Sequence, residues 1–579
     1  MTDQQPKELR LSRGKTILGY IRIFSATEKA VFGIFVILAV TTALIMAEEV
    51  NSHFMKEVPA RGGTLREGLV GLPHTVNPVL AVTDADKDIS SLVYAGLTRY
   101  SSGKVVHGLA SSWTVSPDGL TYDFTLRPGL TFQDGSPLTS ADVVFTIDKI
   151  QDPVLKSPLY PYWAGVEATT TSPVDVEFTL KQPYGSFPAY ATVGIMPKHI
   201  WGNVSDDQFI FSQYNIEPVG AGPFKPAGID RDGSGIPVDY RLSAWNGYAA
   251  GPEPYLSNIV FTFFQDQSHA ITAIENGSID SLPSVPLETA ANLSTDSGEP
   301  YTVISSPLYR VFGVFFDQSN NAVLSDSSVR QALSMSVDRP AMVADALYGY
   351  GVPLSGPLPP GLASASNTSP VGPDIASAEA LLQKDGWRAG VAGIMAKKSG
   401  KAASTTLAFT LYTANAPDLK QTAQMLSDEW GRLGASVTVK TFDPGDLYQS
   451  VIKNRSYDAL LFGEALDKDG NPYPFWDSSE RNFPGLNLAM YASSKADKIL
   501  ESLQGESSST ARLADYAALE SQISTDVPAV FLYAPDFTYA VPKSLRGIDL
   551  GPIASPEDRF DSVSSWYLET ERVYTFIRP

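Results

Sequence analysis

Between Leu407 and Gly463 the chain alternates strand-like and helix-like segments, and that order constrains the fold more tightly than its composition does. Leu407 to Tyr412 reads as a strand, and Ala416 to Leu433 as a helix stopped by Gly434. Ser436 to Phe442 is a second strand, Asp446 to Lys453 a short helix, and Tyr457 to Gly463 a third strand. Such alternation implies a sheet with parallel strands joined by right-handed crossovers. Ligands of open α/β sheets sit in the crevice beyond the carboxyl ends of the strands. The residues after Gly463 are therefore the first place to look for a site.

The N-terminus obeys a different rule. Ala30 to Ala47 is apolar apart from Thr41 and Thr42. At ~1.5 Å per residue the run spans about 27 Å, close to a bilayer core. Lys7, Arg10, Arg13, Lys15, Arg22 and Lys29 precede it, and Glu48 and Glu49 follow it. Positive charge on the cytoplasmic side makes residues 1–29 a cytoplasmic tail, 30–47 a transmembrane anchor and 48–61 a linker, with the bulk of the chain outside the cell membrane. The rival is a cleaved signal peptide. The basic region is long for one, and Ala-Leu-Ile-Met-Ala is a poor cleavage sequence, so an uncleaved single-pass anchor is expected. Gly14-Lys15-Thr16 ends like a phosphate loop, but Leu9 stands where its first glycine belongs.

Composition excludes several classes of function. The chain of 579 residues has a net charge of −20, the wrong sign for a nucleic-acid partner. With no cysteine, disulfides, zinc–thiolate sites, iron–sulfur clusters and thiol catalysis are excluded. His53, His74, His107, His199 and His269 are scattered without metal-ligand spacing. No Ser-His-Asp arrangement stands out, so neither an enzyme nor a cofactor is expected. Asp467-x-Asp469-x-Asn471 begins like a calcium loop, but Pro472 and Ser478 replace its glycine and its glutamate.

The run from Tyr122 to Ile150 is a strand, two turns and a capped helix. Tyr122, Phe124 and Leu126 alternate with Asp123 and Thr125. Pro128-Gly129 and Asp134-Gly135 are turn signals. Thr139 or Ser140 caps a helix, with Asp142 completing a capping-box variant and Val143, Val144, Ile147 and Ile150 forming one apolar stripe. None of these residues suggests chemistry.

That run closely resembles the signature segment of the peptide-type solute-binding proteins of ABC importers, the dipeptide- and oligopeptide-binding proteins of family 5. Other blocks resemble the family in the same order: Gly62-Gly63-Thr64-Leu65, Val219 to Phe224, the helix His269 to Asn276 followed by Gly277 and Ile279-Asp280, and Val329-Arg330 through Asp338-Arg339. The resemblance covers about residues 62–579. It implies an α/β periplasmic-binding-protein-like fold of type II, two-lobed, with an extra third domain. Residues 62–106 and 216–306 would form lobe I, 107–215 the extra domain, 307–535 lobe II, and 536–579 a C-terminal return to lobe I. It further implies a monomer that takes a peptide ligand to permease subunits served by separate ATPase chains. A tethered sensor without transport, or the same fold binding an oligosaccharide or nickel chelate, is the alternative.

In such proteins a loop after a strand-end glycine holds an aspartate that pairs with the α-ammonium of the ligand. Asp467 stands four residues after Gly463 and fits; Asn471-Pro472 falls one residue later than the family pattern, which keeps Asp469 as an alternative. Phe475 and Trp476, with Tyr473, read either as pocket walls or as a core cluster. Val82, Thr83 and Asp84 align with a segment that lies along the ligand, and otherwise read as an ordinary β–α loop.

Overall fold

A computed structural model describes residues 25–53, 55–295, 300–362, 372–398, 404–506 and 508–574. It divides into two compact units, one of residues 1–60 with 569–579 and the other Arg61–Leu568. In the first, a helix runs from Ala26 to His53, and none of the residues in its apolar span Ala26–Met46 is buried. The helix outruns the expected anchor and enters the expected linker. Met55–Ala60 forms an antiparallel strand pair with Glu569–Tyr574, in register from Met55 opposite Tyr574 to Ala60 opposite Glu569. The strand Glu569–Tyr574 thus falls in the first unit, whereas the expected C-terminal return ran to 579. A strand with Pro59 in it and a partner at the far end of the chain leaves no local period to read. The basic residues from Lys7 to Arg22 and the Gly14-Lys15-Thr16 segment lie outside the described residues.

The second unit is built on three large hydrophobic cores. Lobe I pairs Gly62–Val70 in parallel with Leu256–Phe264, and Pro237–Ala244 and Phe224–Arg231 extend that sheet antiparallel. Leu65, Ile259, Phe261 and Trp566 are fully buried there. The extra domain is a four-stranded antiparallel sheet of Ala110–Val115, Thr121–Leu126, Asp175–Thr179 and Glu167–Ser172. The third core belongs to lobe II and collects residues from Tyr309 to Ala534.

The Tyr122–Ile150 run lies in the extra domain, and its physics is as the sequence suggests. Tyr122, Phe124 and Leu126 point into the core. The Thr139 amide donates to Asp142 at 2.8 Å in a capping box that opens the helix Ser140–Gln151. Gln133, between strand and helix, joins the extra domain to lobe I. Its Nε2 donates to the Phe224 carbonyl at 2.7 Å and the Val93 carbonyl at 3.1 Å, and its Oε1 accepts the Gly220 amide at 3.1 Å. That approach needs glycine, because a Cβ at Gly220 would lie 2.1 Å from the Val93 carbonyl oxygen.

The large sheet of lobe II carries the α/β order. Ala408–Ala414 pairs in parallel with both Ser436–Phe442 and Ala459–Ala465. The helix between the first two, Pro417–Arg432, has proline in its first turn and is followed by Gly434 at φ +92°. The short helix expected after Asp446 is instead a wide π-helical turn, Leu447–Ile452. The sheet is mixed, since Arg310–Phe316 runs antiparallel to Ala459–Ala465 and to Ala529–Pro542. That last strand crosses between lobes. Its first half pairs with Arg310–Phe316 in lobe II, and its second half with Tyr301–Pro307 in lobe I.

Candidate functional site: a tyrosine-lined acidic crevice

At the carboxyl end of strand Ala459–Ala465 the chain makes a tight turn. Leu466 is buried and donates its amide to the Tyr309 carbonyl at 2.8 Å. The Gly470 amide closes the turn on the Asp467 carbonyl at 2.8 Å. Glycine is required there: φ is +70°, and a Cβ would lie 2.3 Å from a Leu362 methyl. Helix Ser509–Asp526 braces the turn, with Arg512 donating to the Asp469 carbonyl at 3.0 Å and Tyr516 to the Gly470 carbonyl at 3.1 Å. The turn's backbone is thus braced from lobe II. The side chains of Asp467, Lys468 and Asp469 are left to meet the other two domains.

Each finds a partner outside lobe II. The Tyr184 hydroxyl, from the extra domain, donates to the Asp469 carboxylate. Tyr190 donates to Tyr184 at 2.9 Å, and the two rings stack at 5.1 Å. Tyr162 packs on Tyr190, its ring centroid also 5.1 Å away, and lies close enough to Asp467 to lower its carboxyl. Lys468 crosses to lobe I, its ammonium 2.7 Å from Asp558, 2.5 Å from Asp561 and 4.5 Å from the centre of the Tyr100 ring. The crevice is therefore a cage of phenols around a row of carboxylates.

The electrostatics follow from crowding and partial drying. Burial holds the Asp467 and Asp469 carboxyls above the ordinary aspartate range. The Tyr162 hydroxyl opposes the rise at Asp467, whereas Asp469 and Asp558 add to it. Water still reaches Asp467, which is exposed, although protein encloses it on several sides. Asp561 is pushed up to about 6, by burial first, against the pull of Lys468. Burial also raises Tyr162, Tyr184 and Tyr190, and nearby Asp469 raises them further, so all three stay neutral donors at physiological pH.

The residues singled out in the sequence fall into two groups. Thr83 caps the helix Asp84–Val93, accepting the Asp86 amide at 3.1 Å; Val82, Thr83 and Asp84 are exposed. Lys87, on the first turn of that helix, lies within electrostatic reach of Asp467. Gly463, Phe475 and Trp476 lie away from it. Gly463 faces Phe312, whose ring would be 2.7 Å from a Cβ at that position. Trp476 is 1% exposed and packs on Phe531 at 5.6 Å and on Phe315 and Tyr491, each at 6.2 Å. Phe475 is buried in the same core, so this pair takes the core alternative rather than the pocket-wall one.

Residues 104–484 match the family described as bacterial extracellular solute-binding proteins, family 5, middle region. The chain belongs to that family. Among relatives of this family 5 protein, the oligopeptide-binding protein AppA of Bacillus subtilis is 27% identical over 536 residues, which is 88% of this chain and 92% of AppA. Protein XP55 of Streptomyces lividans is 28% identical over 487 residues, 83% of this chain and 85% of XP55. The structure of Bacillus subtilis AppA in complex with a nonapeptide matches 88% of this chain and 100% of its own, with TM-score 0.64 and 25% identity. Campylobacter jejuni NikZ in complex with Ni(L-His) shares the fold at TM-score 0.65 and 24% identity, over 87% of this chain and 99% of its own. The family 5 protein accordingly has the two-lobed periplasmic-binding-protein-like fold with its third domain.

One buried network fixes the lobe I wall of the crevice. Arg559, fully buried, bonds Glu67 through Nε at 2.9 Å and Nη2 at 2.5 Å, and Asp88 through Nη1 at 2.8 Å and Nη2 at 2.6 Å. Tyr539 donates to Glu67 at 2.5 Å. Strand Gly62–Val70, helix Asp84–Val93 and strand Ala529–Pro542 are thereby tied to the 3₁₀ segment Pro556–Ser565, which carries Asp558 and Asp561. In the family 5 chain these contacts, like the tyrosines and Lys468, join residues far apart in sequence. Only the acid–base–acid order of Asp467, Lys468 and Asp469 hinted at them.

Proposed function

We propose that this chain is a membrane-tethered, extracytoplasmic solute-binding protein that captures peptides between its two lobes and delivers them to the permease of an ABC importer. The observation that carries the reading is Asp467: an exposed carboxylate in a crevice walled by both lobes and the extra domain, within a family whose relative AppA is named for oligopeptides. A peptide α-ammonium desolvated there needs a charge-assisted acceptor, worth about 1.5–3 kcal/mol. Asp469 is less available, because Tyr184 already occupies its carboxylate. Asp467 is thus the anchor, and the tyrosine hydroxyls and backbone groups around it receive the rest of the peptide. The exposed loop Val82–Asp84 supplies the opposite edge. Gly463, Phe475 and Trp476 support the loop from behind.

Capture proceeds by rotation of the lobes about the chain crossings at Pro307–Arg310 and near Pro535, which favours the closed state by the differential contacts the ligand makes there. The helix Ala26–His53 is the tether that keeps the binding unit at the membrane. The test is mass spectrometry of ligand released from the full chain purified in mild detergent. Peptides are expected. A sugar or a metal chelate as the sole occupant overturns the substrate assignment.

A further inference from the structure

Lys468 has a role of its own, apart from the anchor. Its ammonium enters a pocket made wholly by lobe I: the face of Tyr100, Asp558 and Asp561. Lobe I itself holds part of this pocket in place. Asp558 Oδ2 is held by the amides of Ala554 and Ser555 at 2.8 and 2.9 Å, which leaves Oδ1 to face Lys468 at 2.7 Å. Tyr100 is buried to 9% exposure, and Arg559 next to Asp558 is locked to Glu67 and Asp88. A primary ammonium between two carboxylates and over a phenol ring is the recognition chemistry of a lysine-like cation. Yet the cation filling it comes from the protein, on the loop that carries Asp467.

We propose that Lys468 is a specificity-determining residue: an in-chain occupant of a second cation pocket, which confines a ligand to one ammonium, at Asp467. The inference rests on the peptide-binding reading above and deepens it. With Lys468 in place, its ammonium takes up Asp558 and Asp561 and leaves Asp467 to the ligand. A peptide with a lysine side chain beside its N-terminus then meets a filled pocket and a positive charge. Removing the lysine's ammonium opens a lined cavity of matching charge, and dibasic ligands become the favoured ones.

The pocket is tested without any peptide. The full chain and its Lys468→Ala variant, in detergent, are unfolded thermally in propylammonium chloride, in equal sodium chloride, and in propanol. Propylammonium is expected to raise the melting temperature of Lys468→Ala saturably, above both controls, and not that of the parent. Adding Asp561→Asn to Lys468→Ala is expected to abolish the gain. An equal response of parent and Lys468→Ala overturns the proposal. Should Lys468→Ala lack the parent's circular dichroism, Lys468→Thr carries the same comparison. A peptide arm follows, with Ala-Ala-Ala against Ala-Lys-Ala. The affinity ratio is expected to shift toward the lysine peptide by about tenfold or more in Lys468→Ala, the effect of one charge-assisted bond. An unchanged ratio overturns the specificity role. If neither peptide binds the parent chain, the peptide-binding reading fails, while the propylammonium arm still decides whether Lys468 fills a cation pocket.

Discussion

Replacing Arg559 with methionine should cost lobe I far more than the loss of one ion pair suggests. The guanidinium sits between Glu67 and Asp88, and all three side chains are at most 1% exposed. Removing the cation strands two carboxylates where water cannot reach them, and breaking a buried pair in this way costs about 3–5 kcal/mol. The loss should depend on pH. Even with Arg559 present, burial lifts Asp88 from 3.8 to about 7, and Glu67 adds to the rise. A folded-state value above the unfolded one means that the contribution of Asp88 to stability is full below 3.8 and is lost as the pH climbs through 7. Without Arg559 the folded value climbs further, so the loss continues to higher pH. Urea unfolding followed by tryptophan fluorescence should therefore show Arg559→Met destabilised more at pH 8 than at pH 5. The transition scored should be the one that includes Trp566, which packs on Phe560 at 5.6 Å in this core. A loss below about 1 kcal/mol, the level of an exposed pair, would refute the argument, and so would equal losses at both pH values.

Three further outcomes follow from other sites. Glu464 is buried at 2% exposure with neither carboxylate oxygen partnered, and burial raises it well above the glutamate range. Its contribution to stability falls as pH rises above 4.5, so Glu464→Met should stabilise the chain by about 1–3 kcal/mol in urea at pH 8 and by less at pH 4.5. Trp476→Ala should lower stability by about 3–5 kcal/mol while leaving the peptide affinity of the folded fraction unchanged; a selective loss of affinity would restore Trp476 to the ligand site. Tyr184→Phe removes the hydroxyl that holds Asp469. Amide exchange should then quicken at Gly185, whose N–H donates to the Gln504 carbonyl at 3.0 Å across the same contact, and unchanged exchange would count against that hydroxyl as the tie.

What could be read from the sequence was what local periodicity encodes. The helix Ser140–Gln151 has its cap, its acidic third residue and its apolar stripe within a dozen positions, and it folds as they specify. The parallel strands around Ala408–Ala414 were legible because short strand-like segments alternate with helical ones, the longer helix being stopped by Gly434. Met55–Ala60 was not, because its partner Glu569–Tyr574 lies at the other end of the chain and neither alternates. The crevice divides in the same way. Asp467 is marked by its place after a strand, but Tyr100 comes from the short strand Thr98–Ser101, Tyr162 and Tyr190 from four-residue helices and Tyr184 from a loop, with no common period. Phe475 and Trp476 were ambiguous because aromatics serve cores and pockets equally well. Only the inward turn of Tyr473–Trp476 decides between them. Lys468 was in plain view between two aspartates, but its partners Asp558 and Asp561 are brought close only when the lobes are folded together.

The most direct test of the account is a thermodynamic cycle on one charge pair. Tri-alanine and its N-acetyl derivative would be titrated calorimetrically into the parent chain and into Asp467→Asn. If Asp467 receives the α-ammonium, acetylation should weaken binding to the parent by about tenfold to a hundredfold and binding to Asp467→Asn hardly at all. Equal losses in both proteins, or no loss in the parent, would contradict the claim that Asp467 anchors a peptide.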